Sequence, residues 1–360
     1  MTTRELADGL IRARRVGRLG HVILNRPSAI NALTTPMVGA ITEILAGWAV
    51  DPLVDTVVLT GEGGRGLCAG GDIVAMTSGE NGALASAARF LTTEYRLNAM
   101  IAHFPKPFVA IMDGIVLGGG VGLSAHGSHR IVTERSKVGM PETAIGFVPD
   151  VGSTWLLSRV HGHLGTHLAL TGSIVPGEDA IAVGLADVMI DSTTIAAFVE
   201  ALATTDVDSA IARYVVTPPE SKLLAAADWI DRAYDAATAA EILERLRATG
   251  DPDAVAAADT IESRSPSAVV TTLETLRRAR SLSTLEEALN QEFRVALHLA
   301  LAPDFAEGVR AQLVGKDRQP QWTPGTLSAI DNHSVASAFD PVDGHPDPLA
   351  LPTTAPREHL

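Results

Sequence analysis

The chain has 360 residues, of which 46% are hydrophobic and 19% charged, with a formal net charge of −14 at pH 7. This length and composition supply the core of one large domain or of two domains of ordinary size. The acidic balance argues against a nucleic-acid partner, because binding to phosphate backbones requires a basic face. The single cysteine, Cys68, excludes a disulfide framework and a zinc site built on four cysteines.

The N-terminal sequence contains no apolar stretch of signal-peptide length, and no window is apolar over the length of a membrane span. We therefore predict a cytoplasmic protein with no membrane and no nucleic-acid partner. His126 and His129 lie three residues apart, but no third ligand is evident near them, so we also predict no metal.

Short β-branched runs closed by turn residues predict the first strands. These runs are residues 21–25, 55–61, 107–114 and 128–134. Between the first two, "TTPMVGAITEILAGWAV" places apolar residues at helical spacing behind a Thr-Thr-Pro start. Strands and helices alternate to about residue 190, a pattern that predicts an α/β fold with parallel pairing.

Beyond that point the pattern is helical almost throughout, from "TTIAAFVEALATT" to "EALNQEFRVALHLAL". The stretch "SPSAVVTTLETLRRARSL" shows a Ser-Pro start followed by apolar residues at helical spacing. The end of the chain, "DPVDGHPDPLALPTTAPREHL", is rich in proline and predicts a tail rather than a further domain.

The first candidate functional loop is "GEGGRGLCAGGD", residues 61–72. Its glycines match G-x-G-x-x-G behind a strand, but a dinucleotide site needs a helix to open at the last glycine, and here the loop continues. Two other interpretations stay open. The loop is a flexible glycine segment, or the N–H groups at Gly70 and Gly71 face a ligand oxygen.

The second loop is "VLGGGVGLSAHG", in which three glycines end an apolar run and a helix follows. The first N–H groups of a helix have no partner within it, so they are available to a ligand. Two such donors from separate loops form an oxyanion hole, and one donor is worth about 2.7–4 kcal/mol of barrier. Close packing of the helix against the sheet requires glycine equally well.

The third loop is "MPETAIGFVPDVG", which carries Glu142 and Asp150 eight residues apart. Two prolines and two glycines allow the segment to bring both acids together, one as base or nucleophile and the other as hydrogen-bonding acid. The alternative is that Glu142 caps one helix and Asp150 starts the next.

Together, "LCAGGDI", "GIVLGGGVGLSAHG" and "MPETAIGFVPDVG" resemble the crotonase (enoyl-CoA hydratase/isomerase) superfamily, over nearly the whole chain except the tail. Hydratases of this superfamily have a glutamate two residues after the triple glycine, where this chain has Gly122. They have a glycine where this chain has Asp150. This pattern is similar to the 3-hydroxyisobutyryl-CoA hydrolase branch.

The resemblance implies a ββα spiral core over residues 1–195, a helical region over 196–330 that covers the site, and a tail over 331–360. It implies that the N–H groups of Gly71 and Gly119 bind a thioester oxygen. The catalytic residues are then Glu142 and Asp150.

The resemblance also implies that Glu94, Gly119, Glu142 and Asp150 contact the acyl group. It suggests weaker contacts with CoA at Ala69, Asp72, Ile73 and Lys316. The expected activity is hydrolysis of a short branched 3-hydroxyacyl-CoA, with enoyl-CoA hydration as the alternative. CoA enters only as part of the substrate, and no other cofactor is expected. Trimers, hexamers and a monomer are all compatible with the sequence.

Overall fold

The computed structural model describes residues 3–74 and 83–343. The chain forms two compact units, and each unit is assembled from three separated segments. We call them the sheet unit, formed by Met1–Asp72, Arg96–Gly139 and Ile174–Lys222, and the helical unit, formed by Ile73–Tyr95, Met140–Ser173 and Leu223–Leu360. The predicted division at residues 195 and 330 stays a prediction.

The sheet unit is built on an eight-stranded mixed sheet with the order β1-β2-β3-β4-β5-β7-β10-β11. The strands are β1 (Thr3–Leu6), β2 (Ile11–Val16), β3 (Leu19–Leu24), β4 (Thr56–Gly61), β5 (Phe108–Met112), β7 (His129–Val132), β10 (Val188–Ile190) and β11 (Val215–Val216). The pairs from β3 to β10 are parallel, which confirms the predicted pairing, while the strands at both edges add antiparallel pairs.

A second sheet of three strands has the order β6-β8-β9. Its strands are β6 (Ile115–Leu117), β8 (Lys137–Gly139) and β9 (Ile174–Pro176). The predicted strand over 107–114 is wrong at its end, because β5 stops at Met112 and β6 begins in the other sheet. The chain turns at Gly114, where φ is +64° and a Cβ would lie 2.6 Å from the carbonyl oxygen of Arg65.

The helices account for most of the remaining structure. They are α1 (Thr35–Val50), α2 (Ala83–Ala102), α3 (Gly119–Ser124), α4 (Ser153–Leu157), α5 (Leu164–Thr171), α6 (Gly177–Ala182), α7 (Ile195–Leu202), α8 (Val207–Tyr214), α9 (Lys222–Ala225), α10 (Ala227–Tyr234), α11 (Ala239–Ala248), α12 (Pro252–Glu262), α13 (Pro266–Ala279), α14 (Leu285–Leu301), α15 (Pro303–Val309) and α16 (Asn332–Ser337). No helix within the described ranges is long and apolar enough to cross a membrane.

The predicted helix starts are confirmed by their caps. Thr34 accepts the N–H of Met37 at the start of α1, and Ser265 accepts the N–H of Ala268 at the start of α13. Each cap is followed by a proline in the first turn, where its missing N–H costs nothing. The start of the predicted tail contains α16, and residues 344–360 lie outside the described ranges.

The core of the sheet unit lies between the large sheet and helices α7 and α8. Buried aliphatic residues of five strands pack there against one face of each helix. They include Leu19, Val58, Val109, Ile131 and Ile190 from the strands, and Phe198, Leu202 and Val207 from the helical side. This packing supports the strands from which the loops extend.

Candidate active site

The first glycine loop runs beside strand β6 in the sheet unit. Its start is anchored by the buried amide of Asn31, which donates to the carbonyl oxygens of Glu62, Gly66 and Leu67 at 3.1, 3.2 and 3.1 Å. The middle of the loop pairs with β6, because the Leu117 N–H donates to the Cys68 carbonyl at 2.9 Å. The loop is therefore ordered by strand-like pairing.

The far end of this loop is fixed on both sides of Gly71. The N–H of Leu33 donates to the Gly70 carbonyl at 2.8 Å, and the N–H of Asp72 donates to the Leu33 carbonyl at 2.8 Å. These bonds use the groups that flank Gly71 and leave its own N–H outside the pairing.

The triple glycine lies directly against this loop. Gly118 has φ +50° and precedes α3, which begins at Gly119. A Cβ on Gly120 would lie 2.5 Å from the carbonyl oxygen of Cys68, and a Cβ on Gly70 would lie 3.6 Å from the nitrogen of Gly119. The two loops thus approach each other through bare backbone, so the glycines allow close packing, while the use of their N–H groups by a ligand stays a prediction.

Gly71 in the first loop and Gly119 in the second are the two predicted oxyanion-hole donors. Within residues 3–74 and 83–343, the N–H groups of Gly71 and Gly119 have no hydrogen-bond acceptor. Backbone donors that lack a protein partner are free to bind a ligand oxygen. The two N–H groups are therefore compatible with an oxyanion hole, and this role stays a prediction.

The dinucleotide fingerprint in the same loop lacks its defining helix. Gly66 forms an isolated antiparallel bridge with Gly114, and a Cβ on Gly66 would lie 2.4 Å from the nitrogen of Ile115. The glycine therefore serves close backbone packing rather than the start of a phosphate-binding helix.

The four residues suggested for CoA contact are spread over both units. Ala69 and Asp72 belong to the sheet unit, where Asp72 forms an ion pair with Arg26 at 2.8 Å. Ile73 and Lys316 belong to the helical unit, and Lys316 is exposed with φ +56°. Their contact with CoA stays a prediction.

Three carboxyl groups of the helical unit form one buried cluster. Glu94 lies on α2, Glu142 opens the 3₁₀ helix Glu142–Ile145, and Asp150 precedes α4. Their exposed fractions are only 2%, 8% and 6%. Glu94 is thus not on a solvated helix face. The third loop brings both of its acids to one place although Glu142 also opens a helix.

The cluster holds its protons unusually tightly. Burial raises the pKa of Glu94 and of Glu142 well above the ordinary range, and the charge of Asp150 raises both further. Burial raises the pKa of Asp150 to about 7, against a lowering effect of the hydrogen bond from Tyr95. Within the described residues, Glu94 Oε1 and Glu142 Oε2 have no hydrogen-bond partner. A carboxyl group with a pKa of about 7, as in Asp150, is able to exchange protons near neutral pH.

The third loop follows its path because glycine permits two tight features. Gly146 ends the 3₁₀ helix with φ +71°, and a Cβ there would lie 2.5 Å from the Asp304 carbonyl oxygen. Gly152 has φ +79° directly before α4. The two glycines thus set the chain direction after Glu142 and after Asp150.

Two further residues contact this loop and were not found from the sequence. The hydroxyl of Tyr95 donates to Asp150 Oδ2 at 2.7 Å, and the tyrosine is fully buried. The carboxylate of Glu292 on α14 accepts hydrogen bonds from the residues that follow Asp150. No sequence motif indicates either contact, since each residue belongs to an ordinary amphipathic helix.

Removing the Tyr95 hydroxyl is expected to shift the pH profile of the thioester hydrolysis that the family resemblance implies. Tyr95→Phe deletes the donor that favours the charged form of Asp150, so the pKa of Asp150 should rise above about 7. A hydrogen bond to a charged group is worth about 1.5–3 kcal/mol, which corresponds to a shift of about one pH unit or more. The measurement is kcat/KM against pH. If the acid limb of the profile shifts to higher pH, Asp150 acts as the ionised carboxylate. If the alkaline limb shifts to higher pH, Asp150 acts as a proton donor.

Tyr234→Phe provides the matched control for this shift. Tyr234 is also buried in the helical unit, but its hydroxyl is bonded to His167 Nδ1 at 2.8 Å. Its removal should leave both limbs in place. If Tyr95→Phe has the same profile as Tyr234→Phe, the assignment of Asp150 to the pH dependence is wrong.

A comparison with protein families agrees with the resemblance that the three loops carry. A family model described as enoyl-CoA hydratase/isomerase matches residues 19–339. The chain therefore belongs to the enoyl-CoA hydratase/isomerase family, and its fold is that of the crotonases with a helical C-terminal region.

Among curated proteins, the chain is similar to 3-hydroxyisobutyryl-CoA hydrolases. It is 38% identical to the mitochondrial enzyme of Danio rerio, over 91% of this chain and 89% of that protein. It is 35% identical to 3-hydroxyisobutyryl-CoA hydrolase 1 of Arabidopsis thaliana, over 94% of this chain and 92% of that protein.

Two solved structures similar to this chain are described as a dehydratase and a hydratase rather than as hydrolases. A carnitinyl-CoA dehydratase from Mycobacterium thermoresistibile is 48% identical with a TM-score of 0.90, covering 93% of this chain and 98% of that one. An enoyl-CoA hydratase from Rhodobacter sphaeroides is 42% identical with a TM-score of 0.87, covering 92% and 98%.

Proposed function

We propose that this protein hydrolyses the thioester of a short, branched 3-hydroxyacyl-CoA, and that its substrate is 3-hydroxyisobutyryl-CoA, an intermediate of valine catabolism. The products are 3-hydroxyisobutyrate and free CoA. The observation that carries the proposal is the buried cluster of Glu94, Glu142 and Asp150, which brings three acids of raised pKa together, two of them from the third loop.

Thioester hydrolysis needs stabilisation of the negative charge that forms on the carbonyl oxygen. The spare N–H groups of Gly71 and Gly119 are suited to this task, since both belong to loops held by backbone pairing. Donors fixed in advance bind the tetrahedral intermediate better than the planar substrate, which lowers the barrier.

Glu142 has two possible roles in the bond-forming step. It attacks the carbonyl carbon directly and forms an anhydride, or it removes a proton from the attacking water. In either case the C–S bond breaks as the intermediate collapses, and the departing thiolate takes a proton. On the anhydride route a water molecule then hydrolyses the anhydride, which releases the acid and restores Glu142. Burial makes Glu142 a stronger base than an exposed carboxylate once it is ionised.

Asp150 is suited to supply the remaining proton or to hold the water or the 3-hydroxyl group. Its pKa of about 7 allows both the acid and the carboxylate form at neutral pH. The hydroxyl of Tyr95 donates to its Oδ2 atom and so orients the carboxyl group.

Hydration or dehydration of an enoyl-CoA is the second candidate, favoured by the descriptions of the two similar solved structures. The residue pattern counts against it. Hydratases place a second glutamate where this chain has Gly122, on α3, and no carboxyl group stands at that position here.

The test is the release of free CoA, followed with a thiol reagent, across short hydroxyacyl-CoA and enoyl-CoA thioesters. We expect rapid release only from 3-hydroxyisobutyryl-CoA or 3-hydroxypropionyl-CoA. Crotonyl-CoA should be neither hydrated nor hydrolysed at a comparable rate. Hydration of crotonyl-CoA without CoA release would overturn the proposal in favour of the second candidate.

Two further predictions concern the setting in which the enzyme works. A cytoplasmic location stays a prediction, since the similar vertebrate enzymes are described as mitochondrial. Monomer, trimer and hexamer also stay open as assembly states. An acyl-CoA substrate with no additional cofactor is part of the proposal.

A further inference from the structure

Glu292 is a glutamate with no solvent exposure that lies on α14 of the helical unit. Burial raises its pKa to about 8, against the lowering effect of the hydrogen bonds from Thr154 and Gly152. Its Oε2 atom accepts the N–H of Gly152 at 2.6 Å, and its Oε1 atom accepts the N–H of Thr154 at 2.9 Å. The Thr154 hydroxyl donates to Oε1 as well. Both oxygens of one side chain are thus committed to the turn that directly follows Asp150.

This turn has a backbone that needs outside support. Val151 has φ +55°, in the left-handed region that β-branched residues rarely adopt. Gly152 continues the turn with φ +79°, and the Ser153 N–H closes it onto the Asp150 carbonyl at 2.9 Å. A non-glycine residue in this region costs on the order of 1–3 kcal/mol and persists only where its surroundings hold it.

We propose that Glu292 is a positioning residue for the reaction: by accepting the N–H groups of Gly152 and Thr154, it fixes the turn that presents Asp150. The inference rests on the proposed function for its catalytic consequence, although the hydrogen bonds themselves do not. Glu292 lies 140 residues beyond Gly152, so the C-terminal helical region takes part in building the site.

The geometry of the contact explains why a glutamate stands there, because each of its two oxygens accepts one backbone N–H. A glutamine has one acceptor oxygen and one NH₂ group, so it would satisfy one backbone N–H and turn a donor toward the other. An unpaired buried N–H is costly, and the turn would relax away from its strained geometry. Asp150 would then shift out of position relative to Tyr95 and to the substrate.

The experiment compares Glu292→Gln with Thr154→Val and Asp231→Asn. Thr154→Val removes only the hydroxyl contact and keeps both backbone bonds, so it should have the smaller effect and keeps the test usable if Glu292→Gln does not fold. Asp231 is the matched control. It also accepts a backbone N–H directly before a helix, that of His163 at 2.7 Å, but at a different turn of the same unit.

For Glu292→Gln we expect kcat to fall about 10- to 100-fold with KM nearly unchanged, because misplacement of a catalytic group by about 1 Å costs up to about 100-fold. For Thr154→Val a smaller fall in kcat is expected. Asp231→Asn should keep kcat. Hydrogen exchange of the peptide that covers 150–157 supplies a second readout, which does not depend on turnover. Exchange there should be faster in Glu292→Gln and unchanged in Asp231→Asn.

The outcomes separate the inference from the proposed function. Faster exchange at 150–157 in an enzyme whose wild type releases no CoA supports the turn contact and rejects the hydrolase. Normal exchange and normal kcat in both Glu292→Gln and Thr154→Val, with active wild type, reject the inference alone. A fall in kcat matched by Asp231→Asn also rejects it, since a general loss of packing would then be the cause.

Discussion

Replacing Glu142 by glutamine is expected to lower kcat for thioester hydrolysis about 100- to 10,000-fold, with little change in KM. Loss of a group that transfers a proton in the transition state has an effect of this size, and loss of a nucleophile has a larger one. Folding should be kept, because Glu142 Oε2 has no partner within the described residues and a neutral amide suits a buried site. The measurement is steady-state release of CoA, with the melting temperature recorded on the same samples.

The control for this variant is Glu134→Gln, which makes the same chemical change in the sheet unit. Glu134 accepts hydrogen bonds from the backbone and hydroxyl of Ser192 and takes no part in the carboxyl cluster. Its kcat should stay within about twofold of wild type, as is usual for a substitution away from the reacting groups. If Glu142→Gln is equally active, Glu142 is neither the base nor the nucleophile.

Single-turnover hydrolysis in heavy-oxygen water separates the two roles of Glu142. An anhydride that water opens at its Glu142 carbonyl leaves the label in the Glu142 carboxyl, whereas a water-activating base leaves the label only in the product acid, so label in Glu142 identifies the anhydride route. Asp150, whose pKa is about 7, serves as the internal comparison because its carboxyl should stay unlabelled in both cases.

The strands that the sequence predicted are those with β-branched residues and clear turn signals. The missed hairpin of β1 and β2 has charged residues on its exposed face: in β2, Ile11 and Ala13 are buried and alternate with arginines. This alternation of period two is the signal that would have revealed the strand. The break between β5 and β6 is harder to predict, because it depends on how tightly Gly114 packs on Arg65.

The residues of the candidate site also fall into those that local sequence predicts and those that only the fold brings together. Motif spacing and family resemblance led to Glu142 and Asp150, since both stand in one short loop. Tyr95 lies 55 residues from Asp150, and Glu292 lies 140 residues from Gly152, so only the fold brings them together. A helical pattern predicts that such residues lie on a helix, but it does not say which buried polar group will meet them.

Gly120→Ala is expected to reduce activity about 100-fold and to lower the free energy of unfolding by about 1–3 kcal/mol. The added Cβ would lie 2.5 Å from the Cys68 carbonyl oxygen and 3.0 Å from the Cys68 Cβ, so the backbone of one glycine loop must shift. Such a shift separates the N–H groups of Gly71 and Gly119, which the proposed mechanism requires at one carbonyl oxygen.

Gly39→Ala shows whether the loss comes from the loops or from glycine replacement in general. Gly39 lies on an exposed face of α1, and a Cβ there meets no heavy atom within 4 Å. Alanine at this position should stabilise the sheet unit by up to about 1 kcal/mol through helix propensity and leave kcat unchanged. Isothermal CoA release and thermal unfolding of both variants give the comparison. Full activity of Gly120→Ala would mean that the contact between the two loops does not matter for catalysis, and the oxyanion hole would have to be assigned to other donors.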